Sequence, residues 1–298
     1  MPSKQEIEDI INAVIVRTGD IVFQHALFLQ CFLPLRSLPK NEYIYQFNHG
    51  KASLVIQAGL LIKPNDMQQV EKREVPAGAK ARLLFAYIND QAIKTGSPVI
   101  NMSQSLREFM ERNGVPIGGR NAKEITRQVK NIAAAEILIG VWGEHQAVQD
   151  QVKIAKRLSF WIDKDPRQAT LWQPEMTLSS DYLEALKHHR VPLDFRALVG
   201  LQANPRAMDI YCWLAYRLHT VKAPIKIPYE ALHPIFGRGI KYLRDFKIHF
   251  KRSLIEARRF YPDARIESQK DYITLYHSPA PIPLRGQVQS GKGMLAKR

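Results

Sequence analysis

The residues best equipped for chemistry in this chain are cations at helical spacing. Lys241, Arg244, Lys251, Arg252 and Arg259 share one sector of the stretch Gly237 to Tyr261 when it is projected at about 100° per residue, with Lys247 on the sector's edge. Ile240, Leu243, Phe246, Phe250, Leu254 and Ala257 fall in a neighbouring apolar sector. From Gly237 to Arg259, eight Arg or Lys, Arg238 among them, stand against Asp245 and Glu256, a local charge of +6. A second set has the same character. Arg120, Lys123, Arg127 and Lys130, with Thr126 and Asn131 among them, lie opposite Ile125, Val129, Ile132 and Ala133. Ammonium and guanidinium groups in such rows bind phosphate oxygens, and an arginine fork fits the edge of guanine. The chemistry is non-covalent recognition of a polyanion. The plain alternative is an amphipathic surface helix whose cations are only solvated.

Covalent chemistry finds little footing. Gly286 to Lys292 fits the first seven positions of a phosphate-binding loop, but the eighth is Gly293 where Ser or Thr is needed. His188 and His189 are adjacent, so on a helix they point about 100° apart and do not share a metal. No Gly-x-Ser-x-Gly elbow and no paired acidic motif for a polymerase metal site occur. His49 beside Gly50 reads as a turn residue. No catalytic residue, cofactor or metal is expected, and a primase or nuclease is the weakest of the readings.

Composition points the same way. The 298 residues carry 43 Lys and Arg against 28 Asp and Glu, a formal charge of +15, and 45% of them are hydrophobic. That is enough apolar mass for two ordinary domains, and a basic globular protein seeks nucleic acid first and an anionic membrane second. The apolar run Ile21 to Leu35 is short and broken by Gln24, His25, Gln30 and Pro34, so no membrane association is expected. The N-terminus lacks a signal-peptide pattern and Cys31 and Cys212 cannot build a disulfide framework, so a cytoplasmic location is expected.

These cations need elements to hold them, and the chain offers the same elements twice. Lys80–Met110 laid on Arg206–Phe236 without gaps, an offset of 126, sets Phe85 on Tyr211, Tyr87 on Trp213, Pro98 on Pro224 and Leu106 on Leu232. Each copy reads as an apolar-faced helix, a proline-led extended segment and a short helix ending at glycine. The basic helix follows, Arg120 to about Ala135 in the first copy and Gly237 to Tyr261 in the second, stopped by Pro262. Alternating β-like sequence comes next: Glu136–Trp142 with Lys153–Ile162, then Ala264–Glu267 with Tyr272–Tyr276. Helix, strand, helix, basic helix, hairpin is the order of a winged helix, whose third helix enters the major groove.

The expected fold is therefore α+β, two tandem winged-helix domains related by an internal repeat. Residues 1–74 form an N-terminal helix, Lys4 to Val16, and a strand-rich extension packing on the first domain. That extension includes a hairpin turning at Asn48 to Lys51. The domains span 75–162 and 201–278. A structured connector, 163–200, joins them, and a flexible basic tail, 279–298, follows. The candidate DNA-binding residues are Arg120, Lys123, Arg127, Lys130, Arg238, Lys241, Arg244, Lys247, Lys251 and Arg252. The connection Gly143–Gln151 holds Glu144 and Asp150 but no Lys or Arg, which speaks against this wing gripping phosphate.

Several stretches resemble the RepA-type plasmid replication initiators: Val75 to Arg82, Ser105 to Phe109, Gly114 to Gly119, Leu171-Trp172, Val191 to Leu198, Asp209 to Arg217 and Phe236-Gly237. The resemblance runs from about residue 30 to 277. It implies two winged-helix units, the first often used in self-association to a homodimer. It also implies an initiator that binds repeated double-stranded DNA sites at a plasmid origin, helps melt the duplex and recruits the host replication initiator and helicase. It brings no catalytic residues. A winged-helix transcription regulator is the other reading that the residues allow.

Overall fold

A computed structural model describes residues 21–50, 52–63, 66–102, 108–111, 119–142, 147–159 and 175–282. The helix expected at Lys4 to Val16, the loop-like run from Gly286 and nearly all of the tail lie outside them.

The extension is built of strands. β1 (Ile21–His25) runs antiparallel to a distant strand, β11 (Arg190–Asp194). β2 (Ile44–His49) and β3 (Ala52–Gln57) form the expected hairpin, with Gly50 at φ +58° in the turn. A side chain at such a φ would be strained, which is why glycine stands there. β4 (Leu60–Lys63) and β5 (Asp66–Lys72) make a separate two-stranded ribbon.

Helix α1 (Gly78–Thr95) buries residues all around its circumference between Ala81 and Asp90, so it is a core helix rather than a surface one. Gly96, at φ +67°, ends it in a left-handed cap. β6 (Val99–Asn101) follows, then helical residues 108–111, then α2 (Gly119–Ala134).

The strands after α2 correct an expectation. β7 (Glu136–Trp142) and β8 (Ala147–Lys153) do pair, but they extend the β2–β3 hairpin into a sheet of order β2-β3-β7-β8. The strands that pair on β6 are β9 (Ala155–Leu158) and β10 (Glu175–Leu178), in the order β6-β10-β9. β10 comes from the stretch expected to be connector. Lys153–Ile162 is thus split, its first residue closing β8 and Ala155–Leu158 turning to another sheet. Ile154, fully buried between the two strands, anchors the change of direction.

The remaining connector holds α3 (Ser180–His189), whose first turn is capped by Ser179 Oγ accepting from the Tyr182 N–H at 3.2 Å. β11 and the short α4 (Phe195–Gly200), capped by Asp194, complete it. Then come α5 (Pro205–Arg217), β12 (Ile225–Pro228), α6 (Tyr229–Phe236), α7 (Leu243–Arg259), β13 (Ile266–Ser268) and β14 (Tyr272–Leu275). Their sheet has the order β12-β14-β13.

One continuous core runs through both halves, including Phe85 and Tyr87 on α1 and Tyr211 and Trp213 on α5. Between these helices lies a buried ion pair. Arg82 Nε and Nη2 donate to the two carboxylate oxygens of Asp209 at 2.7 and 2.8 Å. Its Nη1 donates to the Pro34 and Gly78 carbonyls and Nη2 to that of Leu33. All five N–H groups of the guanidinium are spent on protein acceptors. Burial pushes the Asp209 carboxyl up, and the charges of Arg82 and Arg206 pull it back.

Candidate nucleic-acid interface

Helix α7 begins later than its periodicity suggests. Ile240 and Leu243 keep the 3.6-residue phase, yet Gly237 to Tyr242 is a turn, not helix. Two hydrogen bonds and one glycine shape the corner. The Gly237 N–H closes α6 on the His233 carbonyl at 2.8 Å, Gly239 sits at φ +80°, and His233 Nε2 bonds the Ile240 carbonyl at 2.8 Å. Gly237 also has no room for a side chain, because a Cβ would lie 2.1 Å from the His233 ring. The helix expected over Gly237 to Tyr261 is therefore a tight corner, Gly237 to Tyr242, followed by α7, and Arg238 and Lys241 sit on the corner.

The inner face of α7 follows the pattern read from the sequence. Phe246, Phe250, Leu254 and Ala257 are buried, with Phe246 and Phe250 ring centroids 5.5 Å apart. Each buried phenylalanine contributes about 1.5–3 kcal/mol by leaving water. Asn204, the cap of α5, locks the helix in place by donating to Ser253 Oγ at 3.1 Å and to Glu256 at 2.8 Å.

The outer face carries the cations. The Arg244 side chain is 87% exposed, and its contact with Asp245 is long at 3.4 Å. Arg252, Arg258 and Arg259 are exposed, and Lys251 is half-buried with its Nζ 5.5 Å from the Tyr229 ring centroid. Lys247 differs. Its Nζ is 2.9 Å from the Asp271 carboxylate on the β13–β14 turn and 5.4 Å from the Tyr229 ring centroid. The hydrogen bond to Asp271 raises the Lys247 ammonium and holds the Asp271 carboxyl below its ordinary range. Lys247 thus fastens the turn to the helix.

Two predicted site residues do not share this outer face. The Arg238 guanidinium stacks 4.7 and 4.9 Å from the centroids of Tyr45 and Phe47, bracing the corner against the β2–β3 hairpin. Lys241 is exposed beside the Tyr242 ring on the corner itself.

On α2 the arrangement is different again. Lys123 and Thr126 are exposed, while the side chain of Arg120 lies outside the described residues. Arg127 bonds Glu124 through Nε and Nη2, both at 2.8 Å, and its Nη1 pairs with Glu74. The hydrogen bonds with Glu124 raise Arg127 and hold the Glu124 carboxyl low. Glu74 belongs to a strap, residues 71–77, that runs along the helix. Arg73 Nε donates to Asn131 Oδ1 at 3.1 Å, and the Ala77 N–H donates to Gln128 Oε1 at 3.4 Å. Asn131 and Gln128 are buried under it, which corrects the expectation that Asn131 stands on the cationic face. An open cleft of mixed charge remains between Glu71, Arg73 and Glu74 on one side and Lys123, Arg127 and Lys130 on the other.

Sequence reasoning missed three exposed apolar side chains at this site, Tyr242, Ile248 and Ile255. The same projection that found the cations places both isoleucines among them. Among the described residues, no group of three or more His, Cys, Asp or Glu side chains gathers where it would hold a metal ion, and no helix is long and apolar enough to cross a membrane.

The family model described as plasmid encoded RepA protein matches residues 75–226, from the strap on α2 into β12 and short of α7. No curated protein matches the chain. Among solved structures, a crystal structure of domains 2 and 3 of RctB is similar at 11% identity, covering 85% of this chain and 98% of that one with a TM-score of 0.52. A second crystal structure of RctB domains 2–3 matches at 10% identity, 85% and 96% coverage and a TM-score of 0.45. At these identities the first likeness speaks for a shared fold alone.

Proposed function

The chain belongs to the family of plasmid-encoded RepA proteins, and from that premise we propose that it is a replication initiator that grips repeated duplex sites at a plasmid origin. Residues from α5 to β14 are one winged helix, with α7 as the helix that enters the major groove. The order helix, strand, helix, helix, hairpin supports this, as does the return of β14 to pair with β12. Residues from α1 to β10 are the second such unit. The matching sheet orders β6-β10-β9 and β12-β14-β13 support that reading, and the offset of 126 lays Val99–Asn101 onto residues 225–227.

The outward cation row of α7 is the observation that carries the proposal. A helix is about 10–12 Å across and the major groove is about 12 Å wide, so α7 fits with its buried face toward the core and Arg244, Lys251 and Arg252 toward the duplex. Each phosphate neutralised adds about 0.9 to the salt slope of binding. Opening of the origin and recruitment of the host initiator and helicase follow from adjacent bound copies, with the first unit supplying contacts between copies.

Replacing Arg244, Lys251 and Arg252 together with Ala tests this. Footprinting on origin DNA is expected to lose protection of the repeats, with affinity down by about a hundred-fold or more. A plasmid dependent on that origin should then fail to be maintained. Unchanged protection would refute the assignment of α7. Lost protection with normal plasmid maintenance would favour a transcription regulator instead.

A further inference from the structure

We propose that Ile248 and Ile255 are sequence readers, each set to pack on the C5-methyl group of a thymine in the major groove; this rests on α7 being the helix that enters the groove. Ile248 is 57% and Ile255 61% exposed. Together with Tyr242, they account for three of the eight large hydrophobic side chains that stand exposed among the described residues. A scattered exposed isoleucine needs no explanation, but two in register on the most cationic helix face do.

Their position supplies the explanation. At about 100° per residue both fall inside the arc bounded by Lys251 and Arg252, on the line that also holds Arg244 and Arg259. The long cationic side chains reach sideways to the phosphates flanking the groove. The short branched ones point between them, toward the base edges. A solvated face gains nothing from isoleucine, whose stiff side chain makes a poorer helix residue than the Arg and Lys around it. Thymine alone presents a methyl group in the major groove, so an apolar side chain there distinguishes it from the other three bases. The charge around the pair selects a polyanion over an apolar protein partner.

The two side chains are seven residues apart, about 10.5 Å along the helix axis. At about 3.4 Å per base step, they span roughly three base pairs where the helix follows the groove. The test uses full-length protein and a duplex selected by it from random fragments. Each thymine in the protected stretch is replaced in turn by deoxyuridine, which removes only the methyl. Two positions about three base pairs apart should each lose about four-fold in affinity, the worth of one methyl group leaving water. Ile248→Ala should bind the thymine duplex about four-fold more weakly and become indifferent to uracil at one of those positions while still sensing the other. Ile255→Ala should show the converse. Both side chains face water, so neither variant threatens the fold. Selective binding that ignores every uracil substitution, or variants that still sense both positions, would overturn this inference while leaving the groove assignment standing. Binding without any sequence preference would remove both.

Discussion

Arg127 on α2 lies between two carboxylates, whereas Arg244 on α7 holds most of its side chain in water. Both helices follow the same order of elements, and both expose a cationic row to projection. The difference comes from what else the chain lays beside them. The strap of residues 71–77 brings Glu71 and Glu74 onto α2, buries Gln128 and Asn131 and leaves a mixed-charge cleft. Alongside α7, Asp271 reaches across from the β13–β14 turn and takes Lys247, while Arg244 and Arg252 stay exposed. A helix's own sequence fixes how many cations it carries, and the segments folded against it fix how many a phosphate can reach.

Breaking the joint between the two units should have the largest effect. The Arg82–Asp209 pair sits between α1 and α5 with both side chains 8% exposed, and it ties the two proposed units together. Removing one partner strands a buried charge, so Arg82→Met should cost about 3–5 kcal/mol in urea unfolding. Adding Asp209→Leu to Arg82→Met should recover much of that loss, because well-packed apolar residues often replace a buried ion pair without penalty. A loss below about 1 kcal/mol for Arg82→Met would mean that the joint is held by the apolar core alone.

Unmasking α2 should have a smaller effect and sharpen the contrast directly. Glu74→Gln together with Glu124→Gln removes both partners of Arg127. The Glu124 carboxyl is depressed by its bond to Arg127, so its hold is complete above the ordinary carboxylate range and is lost only as the pH falls through the lowered value. At neutral pH the double variant is therefore expected to gain one reachable cation. The slope of log affinity against log salt on random-sequence duplex should steepen by about one. An unchanged slope would show that Arg127 faces away from DNA even when unpaired.

How much of this was legible in the sequence depended on the distance over which each feature is decided. The β2–β3 hairpin was readable because its turn is local, with Gly50 between alternating strands. The buried face of α7 was readable because Phe246, Phe250, Leu254 and Ala257 repeat at helical spacing. The break at Gly237 to Tyr242 was hidden by Ile240 and Leu243, which stay in phase across it. Its signal was Gly237 and Gly239 themselves, whose effect depends on His233 bonding Ile240 seven residues on. The strand changes after α2 had no local signal. β7 alternates as a wing strand would, and only its pairing with β3, about eighty positions earlier, assigns it to another sheet. Glu74 lies 53 residues from Arg127, and Tyr45 and Phe47 lie nearly 200 from Arg238, so neither contact could be seen in the sequence around the cation.

The smallest effect belongs to Lys247, the α7 cation tied to a carboxylate of another element as Arg127 is tied to Glu74. Lys247 pairs with Asp271 at the exposed tip of the β13–β14 turn, where the Asp271 side chain is 65% exposed. A surface pair in water is weak and gives way readily to a phosphate. Asp271→Asn should therefore change duplex affinity by about two-fold or less, and the salt slope by well under one. The strap on α2 is a different case, since Arg73 and Ala77 hydrogen-bond the helix itself and keep Glu74 in place beside Arg127. If Asp271→Asn instead steepened the slope as much as the Glu74 and Glu124 changes do, the two helices would be masked to the same degree. The contrast between them would then lie in the number of cations rather than in their partners.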